Sequence, residues 1–342
     1  MNIQSVLAAG RSEVVRLLKS ILRLLQWIVV FFIIVFIGMP IVASIPPFGK
    51  MPAEISGIQA VVVSVVMVAS LSAIVGLLKS QIPGRIAWVG VHTGIFAVAA
   101  ASLSLLPQWS GPITAATFAL FVFTPYVLNA LASRTIIAGH ARAAASYARL
   151  TLLFHPFRQS RFYSSLMSAH ALRSIEGKVA AYRSLALQAT PDEFSLLNCF
   201  IPMAQDDWAA VLGQVRSGGA TSAMKRFEIR ALGELGSIEE MIANFAYASA
   251  ELTLRSHDLL LCRLYVLAFS GRVDGVRSLL TRELRFLSPR GKAYYTFIAC
   301  KAAGTLDEET RSRLESAVQA DDDETFRKSA RRHLDAATTT TP

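Results

Sequence analysis

Cysteine is scarce in this chain and follows no recognisable pattern. Only three cysteines occur among 342 residues, and Cys199, Cys262 and Cys300 lie far apart in apolar surroundings. No CxxC pair and no zinc-ligand spacing is present, so the sequence predicts neither a disulfide framework nor a metal site. Isolated cysteines in such surroundings usually act as small buried hydrophobic residues. We expect no metal and no other cofactor.

Local catalytic motifs are also missing. The chain has no P-loop, no HExxH pair and no dinucleotide-binding glycine pattern. Ser222 and Lys225 have the SxxK spacing of penicillin-binding enzymes, but the partner SxN and KTG motifs do not accompany them. We therefore predict that the chain is not an enzyme. An enzyme whose catalytic residues converge from distant helices stays open, because such a site leaves no local motif.

Four stretches of the first half lack charge in their cores. Each is about 20 residues long, enough to cross roughly 30 Å of hydrocarbon as a helix that satisfies its own backbone hydrogen bonds. The first stretch is too long for the apolar region of a signal peptide, and no small-residue cleavage site follows it. The sequence therefore predicts four transmembrane helices within residues 22–133, over Leu22–Ile45, Gly57–Leu78, Ile86–Leu106 and Ile113–Ala132.

Basic residues are nearly absent from one side of these helices. With alternate loops assigned to opposite sides, nine Lys or Arg residues flank the helices on one side and only Lys50 lies on the other. The basic side is cytoplasmic by the positive-inside bias. We expect a multi-pass protein of the cell inner membrane with both termini in the cytoplasm, beginning with a basic cytoplasmic segment over residues 1–21.

Acidic residues are rare in the same half, and no Asp occurs before Asp192. Residues 1–139 carry 8 Lys/Arg against 2 Asp/Glu, whereas residues 140–342 carry 26 against 22. More than half of the net charge of +10 therefore reflects membrane topology. No basic stripe with interleaved aromatic residues is present, so we predict no nucleic-acid partner.

Residues 134–161 contain five arginines, two histidines and no acid. One interpretation is a basic juxtamembrane stem that continues the fourth span and ends near Pro156, because the residue before a proline disfavours the helical conformation. The other is an interfacial helix attracted to anionic lipid headgroups, at about 1 kcal/mol for each basic residue near the surface. Membrane lipids are therefore a candidate partner between Arg134 and Arg161.

His92 is the one ionisable side chain well inside an apolar stretch. Such residues are functional candidates by default, but no acidic residue in any span is available to pair with it. His92 stands between Gly90 and Gly94, a GxxxG spacing that lets helices approach closely. We predict a helix-packing site at these three residues, and small-residue faces of this kind also permit a homo-oligomer.

Residues 162–335 lack the alternation expected of strands and are rich in Ala, Leu, Arg and Glu. A large apolar residue follows two positions after each of a series of turn-like residues, and usually a second follows five positions after. These two positions share one helix face. Because one helical hairpin cannot bury such a face alone, the pattern predicts stacked hairpins. The turn-like residues recur at intervals of 29, 30, 35 and 33, at Gly177, Asp206, Gly236, Gly271 and Gly304.

A period near 34 with glycine at the turn resembles the tetratricopeptide repeat family. The segments RALGELGSIEEMIANF, LYVLAFSGRVDGVRSLL and FIACKAAGTLDEETRSRL carry the resemblance, which is strongest over residues 227–320. The family's small residue five positions after the turn is replaced by Tyr182, Val211 and Met241, so a helical solenoid is the firmer implication.

The resemblance implies that a protein or peptide binds in a concave groove lined by the first helix of each pair. The alternative is that the tyrosines belong to the core and the arginines form a solvated face. The groove candidates are Arg226, Arg230, Glu234, Arg263, Tyr265, Tyr294, Tyr295 and Lys301.

The layout of membrane spans and helical repeats also resembles, weakly, the non-catalytic front half of large bacterial rhomboid proteases. That family's serine would stand in GxSG, whereas Ser56 and Ser110 each precede a glycine without a glycine two positions earlier. Proteolysis is therefore not carried over to this chain.

The sequence thus predicts an all-α protein in which a four-helix transmembrane bundle precedes a cytoplasmic α-solenoid of helical hairpins. Residues 336–342 are expected to form a disordered tail. The predicted function is that of a membrane-anchored scaffold that recruits a protein partner. The alternative is a regulatory or catalytically inactive relative of a membrane protease system.

Overall fold

The structure is a computed structural model. It describes residues 57–79, 85–218, 221–251, 253–254 and 256–338. The basic N-terminal segment and the first predicted span lie outside these ranges. Within the described ranges every regular element is a helix, so the all-α prediction is confirmed there.

We number the helices in chain order through the described ranges. Each begins and ends as follows: α1 Gly57–Lys79, α2 Arg85–Leu105, α3 Pro107–Ile137, α4 Ala141–Phe154, α5 Arg158–His170, α6 Ile175–Ala186, α7 Pro191–Ala204, α8 Trp208–Ser217, α9 Ser222–Glu234, α10 Ile238–Ala250, α11 Ser256–Phe269, α12 Val273–Arg282, α13 Pro289–Ala302, α14 Glu308–Ala320 and α15 Glu324–Thr338.

Three of the described helices, α1, α2 and α3, are long and apolar enough to cross a membrane. The bounds of α1 and α2 agree with the second and third predicted spans to within one residue. The third helix is longer than predicted, because it starts with a 3-10 turn at Pro107 and continues to Ile137. A wider π turn interrupts it over Ala119–Phe123.

The described residues fall into two compact units. The membrane unit contains residues 57–79, 85–131 and 147–163, and the hairpin unit contains residues 132–146 and 164–338. In the membrane unit, α1 packs along α2, and both pack on the first part of α3. Gln59 near the start of α1 donates from Nε2 to the carbonyl of Gln108 at 2.8 Å, which joins these helices at one end.

Residues 134–161 do not form one helix that continues the fourth span, which corrects the first interpretation of this segment. α3 ends at Ile137, and Gly139 has a φ of +88°, the left-handed conformation that favours glycine. The amide of His140 closes the helix end by donating to the carbonyl of Thr135 at 2.8 Å. A second break follows α4, which ends at Phe154, two residues before Pro156 as the sequence predicts.

Four of the five predicted turn residues lie between two helices of the hairpin unit. The helix before each turn ends with the same pair of backbone hydrogen bonds; for example, Ser237 donates to the carbonyl of Leu232 at 2.9 Å. All four have a positive φ: Asp206 (+58°), Gly236 (+76°), Gly271 (+68°) and Gly304 (+68°).

Gly177 differs from these four, which corrects its prediction as a turn. It lies in the first turn of α6, where its amide donates to the side-chain oxygen of the N-cap residue Ser174 at 3.1 Å. This contact caps the helix N-terminus, and Gly177 has no left-handed conformation, although a Cβ there would come within 2.7 Å of the Ser174 side-chain oxygen.

Each helix from α6 to α15 packs against the next one along the chain. The first helices of successive hairpins, α7, α9, α11 and α13, also contact one another, and we call them the inner row. The residues five positions after the turns are fully buried where they are apolar, namely Val211, Met241 and Val276. The apolar face that the periodicity predicts is therefore the face that packs.

The last helix, α15, continues to Thr338, so residues 336–338 of the predicted tail are helical. Its buried positions are Ser329, Ala330, Leu334 and Ala337, spaced so that they share one face. The final residues, 339–342, lie outside the described ranges.

Candidate functional site

Polar contacts hold α15 against α6 and the end of α7, two earlier helices of the hairpin unit. At its start, Lys178 of α6 donates to Oδ1 of Asp323 at 2.6 Å, and the backbone amide of Ile175 donates to Glu324 at 2.9 Å. Further along, Lys328 donates to the carbonyl of Gln205 at 2.7 Å. The helix is therefore tied at several points to residues more than 100 positions earlier in the chain.

Glu234, at the end of α9, is the centre of the contacts near the other end of α15. Its side chain is 0% exposed and accepts from Arg332 at 2.7 Å, from His333 at 2.8 Å and from the hydroxyl of Tyr294 at 3.1 Å. Burial alone would raise the pKa of Glu234, but the hydrogen bonds from His333 and Arg332 and the charge of Arg230 outweigh it and lower the pKa to about 2. The carboxylate is therefore ionised at neutral pH.

A cavity of about 250 Å³ lies between α15 and the earlier helices of the hairpin unit. Rings form much of its wall, contributed by His170, Tyr182, Phe200, Trp208, Tyr294 and Phe326. Arg230 of the inner row also lines it, with its guanidinium carbon 4.6 Å from the centroid of the Trp208 ring, in a cation–π contact. The cavity thus combines flat apolar surfaces with one stacked cation.

His170 is a neutral member of this wall. Burial, together with the charges of Lys178 and Arg226, lowers its pKa to about 3. Burial raises the pKa of Tyr182, so its hydroxyl stays protonated, and this hydroxyl forms a hydrogen bond with Nδ1 of His170 at 2.7 Å. The His170 ring also stands edge-on to Phe200, with centroids 4.7 Å apart.

Four of the eight predicted groove residues meet α15 or the cavity beneath it. Glu234 accepts hydrogen bonds from Arg332 and His333 of α15. Arg230 and Tyr294 line the cavity, and Tyr294 also bonds Ser329 of α15 at 3.0 Å. Lys301 donates to the backbone carbonyl of His333 at 3.0 Å. The structure therefore gathers these four against one helix.

The other four predicted groove residues lie elsewhere. Arg226 pairs with the buried carboxylate of Asp258 at 2.8 Å. Arg263 lies 3.5 Å from Glu283 in a half-exposed ion pair. Tyr265 and Tyr295 are buried in the core and therefore fit the alternative in which the tyrosines are core residues.

Sequence reasoning missed most of the residues that contact the predicted groove residues at α15 and the cavity. The sequence identifies Asp206 only as a turn residue and Trp208 only as the apolar position two residues after it. The adjacent basic residues Arg331, Arg332 and His333 were a signal that α15 has an acidic partner, but they do not identify Glu234.

The SxxK pair does not form a unit in the structure. Ser222 donates from Oγ to Asp258 at 2.7 Å, while Lys225 pairs with Glu228 at 2.8 Å. In the described ranges no group of three or more His, Cys, Asp or Glu residues is positioned to hold a metal ion.

In the membrane unit, His92 is buried, and its Nδ1 has no hydrogen-bond partner among the described residues. Gly90 and Gly94 are exposed, and a Cβ at either would meet no described atom within 4 Å. The packing partner predicted for this GxxxG face is therefore not among the described helices, and the packing role stays a prediction.

Comparison with known protein families, with curated proteins and with solved structures finds no match to this chain. Since a fold alone does not specify a function, the inference depends on the residues at the site.

Proposed function

We propose that this chain is a membrane-anchored adaptor that recruits a protein partner at the cytoplasmic face of the inner membrane. In this proposal four transmembrane helices, Leu22–Ile45 and the described α1 to α3, form the anchor. The hairpin unit is an α-solenoid of the tetratricopeptide type, and its inner row contacts the partner. The positive-inside bias supports the orientation, with both termini in the cytoplasm.

The observation that carries the proposal is the docking of α15. An amphipathic helix already lies against the inner row, with its small and apolar residues packed and its charged residues paired to Glu234 and Asp206. This is the chemistry of helix-in-groove recognition, in which an apolar face and a few charged pairs set the orientation. A surface that binds one such helix in cis is suited to bind a second helix in trans beside it.

The remaining surface of the inner row is polar enough to select a partner. Arg263 of α11 is half-exposed and its pair with Glu283 spans 3.5 Å, so this contact contributes little to stability. Rim charges of this kind mainly steer association and exclude wrong partners. We therefore assign Arg263 to the partner-facing surface.

The membrane surface supplies the second contact of the anchor. Arg149, Arg158 and Arg161 lie close in sequence to Leu153, whose side chain is 74% exposed. Exposed apolar side chains beside arginines favour an interface with anionic lipid headgroups. The stretch Arg134–Arg161 is thus proposed as a lipid contact rather than a simple spacer.

Site-specific photo-crosslinking in membranes tests the recruitment. A photoreactive residue replaces Arg263 on the inner row, and in a matched chain it replaces Arg277, an exposed arginine on the second helix of the same hairpin. We expect a discrete crosslinked protein from position 263 and none from position 277. A chain lacking residues 160–335 should recover no such partner from membranes.

Two results would assign the function to the membrane unit instead. One is crosslinks of equal yield at both positions, and the other is recovery of the same protein with the chain that lacks residues 160–335. If the crosslinked protein is a membrane protease, the result would support the alternative, in which this chain is a regulatory or catalytically inactive relative of such a system. The geometry of the described residues does not support that alternative. The buried hydroxyl of Ser110 donates to the carbonyl of Pro107 at 2.8 Å, and no described histidine contacts it.

A further inference from the structure

Arg230 has unused hydrogen-bonding capacity inside the cavity. Its Nε lies 3.4 Å from Oε1 of Glu234, and neither terminal nitrogen of its guanidinium makes a hydrogen bond to any residue in the described ranges. The guanidinium stacks on Trp208 at 4.6 Å and also lies 5.8 Å from the Tyr265 centroid. Stacking holds the plane of the cation and leaves its edge free for a ligand.

The other charged residues of the cavity wall are already engaged. Lys178 pairs with Asp323 at 2.6 Å, and Asp206 accepts from Arg332 at 2.7 Å. Glu234 takes its two short contacts from Arg332 and His333, so the carboxylate nearest Arg230 is satisfied without it. An anion entering the cavity would therefore meet one available cation, Arg230, in this part of the chain.

The volume of the cavity and the aromatic side chains of its wall define the rest of the ligand. A cavity of about 150 Å³ in another protein holds a benzene molecule of six carbons, so by proportion 250 Å³ holds about ten non-hydrogen atoms. Faces and edges of Tyr182, Phe200, Tyr294 and Phe326 surround this space, and aromatic walls favour a flat apolar ligand. A small cation is disfavoured, because Arg230 would repel it.

We propose that this cavity is a binding site for a small aromatic carboxylate, whose carboxylate accepts hydrogen bonds from the terminal nitrogens of Arg230 and whose ring lies among the aromatic side chains. Arginine is suited to this role because its planar fork matches the two oxygens of a carboxylate. The proposal goes beyond partner recruitment and does not depend on it, since the site lies within the chain and needs no second protein.

Calorimetric titration of the full chain in detergent tests the site with three probes. Phenylacetate has ten non-hydrogen atoms, phenylacetamide has the same shape without the charge, and acetate has the charge without the ring. We expect phenylacetate to bind with a dissociation constant below about 1 mM, and each of the other two probes to bind at least about tenfold more weakly.

Two variants separate the site from nonspecific binding. Arg230→Gln removes the cation and should weaken phenylacetate binding at least about tenfold, with no effect on phenylacetamide. Arg277→Gln removes an exposed arginine of α12 that does not line the cavity, and this variant should bind phenylacetate as the unchanged chain does. Equal binding of phenylacetate and phenylacetamide, or retained binding in Arg230→Gln, overturns the proposal.

A measurement on the unchanged chain guards against misfolding of the variant. Phenylglyoxal modifies arginine side chains, and mass spectrometry can follow the peptide that carries Arg230. Bound phenylacetate should slow modification of Arg230 at least about fivefold and leave the modification rate of the exposed Arg277 unchanged. Modification of Arg230 at the same rate with and without 10 mM phenylacetate (roughly ten times the expected dissociation constant) rejects the site, whatever the variants show.

Discussion

Arg332 is bonded to Asp206, with Nε of the arginine 2.7 Å from Oδ2 of the aspartate. Asp206 has a φ of +58°, and glycine stands at the three later turns that have this conformation. Aspartate tolerates the left-handed region better than most side chains, and here its carboxylate also accepts from Nε1 of Trp208 at 2.7 Å. The less favourable turn residue therefore supplies an anchor for the last helix.

The first prediction concerns that anchor. Arg332→Ala removes the guanidinium that donates to both Glu234 and Asp206. We therefore expect α15 to open more easily, with a loss of about 1–3 kcal/mol in its local opening free energy. Hydrogen exchange over residues 324–338 of the full chain measures this. Arg331→Ala, at the adjacent exposed arginine, is the control and should exchange as the unchanged chain does.

Faster exchange throughout the chain in Arg332→Ala would mean that the contact stabilises the whole hairpin unit rather than the docking of α15. No change in either variant would show that α15 is held by its packed face alone.

The second prediction compares two glycines with the same backbone conformation. Gly271 and Gly304 both have a φ of +68°, but a Cβ at Gly271 would meet the backbone of Ala303 at 2.9 Å, whereas one at Gly304 meets nothing within 4 Å. Gly304→Ala should cost about 1–2 kcal/mol, from the left-handed conformation alone. Gly271→Ala should cost about 1–3 kcal/mol more, because the backbone must move.

Thermal unfolding of the full chain in detergent, monitored by circular dichroism, ranks the two alanine variants. Equal transition temperatures for both would show that the backbone at the end of α13 moves freely away from the turn between α11 and α12, contrary to the close approach at Ala303.

The third prediction concerns acid stability. His170 has a folded-state pKa near 3 and an ordinary value of 6.5, so the folded protein favours the neutral ring. Its contribution is therefore complete above pH 6.5 and is lost as the pH falls below that value, by about 2 kcal/mol at pH 5. Glu234, with a pKa near 2, adds a loss of the same sign only below about pH 4.5.

Unfolding measured between pH 7 and pH 5 covers the loss expected from His170 and stays above the range in which Glu234 contributes. His170→Asn should be less stable than the unchanged chain at pH 7 and should lose less stability on acidification. His257→Asn changes an exposed histidine and should keep the full pH dependence. An unchanged pH slope in His170→Asn would assign the acid sensitivity to other groups.

The fourth prediction concerns the thiols. Cys199, Cys262 and Cys300 are all buried, and burial raises the pKa of Cys199 to about 11. Because the thiolate is the reactive form, iodoacetamide at pH 8 should label none of them in the folded chain and all three in urea. Rapid labelling of one cysteine without unfolding would locate a segment that opens on its own.

Much of the local structure could be predicted from the residues themselves. Apolar length is sufficient to predict α1 and α2, because a helix must be about 20 residues long to cross hydrocarbon. Gly236, Gly271 and Gly304 predict their turns because a positive φ is a property of one residue and its immediate neighbours. Gly177 and Gly139 show the limit of this reasoning, since capping by Ser174 and the helix end at Ile137 decided their roles.

By itself the sequence determined the helical class, three helices able to span a membrane and the turns within the hairpins, since these depend on contacts within a few residues. Only the tertiary structure decided where α15 docks and which side chains surround the cavity. Asp206 and Arg332 are separated by 126 positions, and Glu234 and His333 by 99. Pairings at that range depend on how the hairpins stack, and helical periodicity does not encode the stacking.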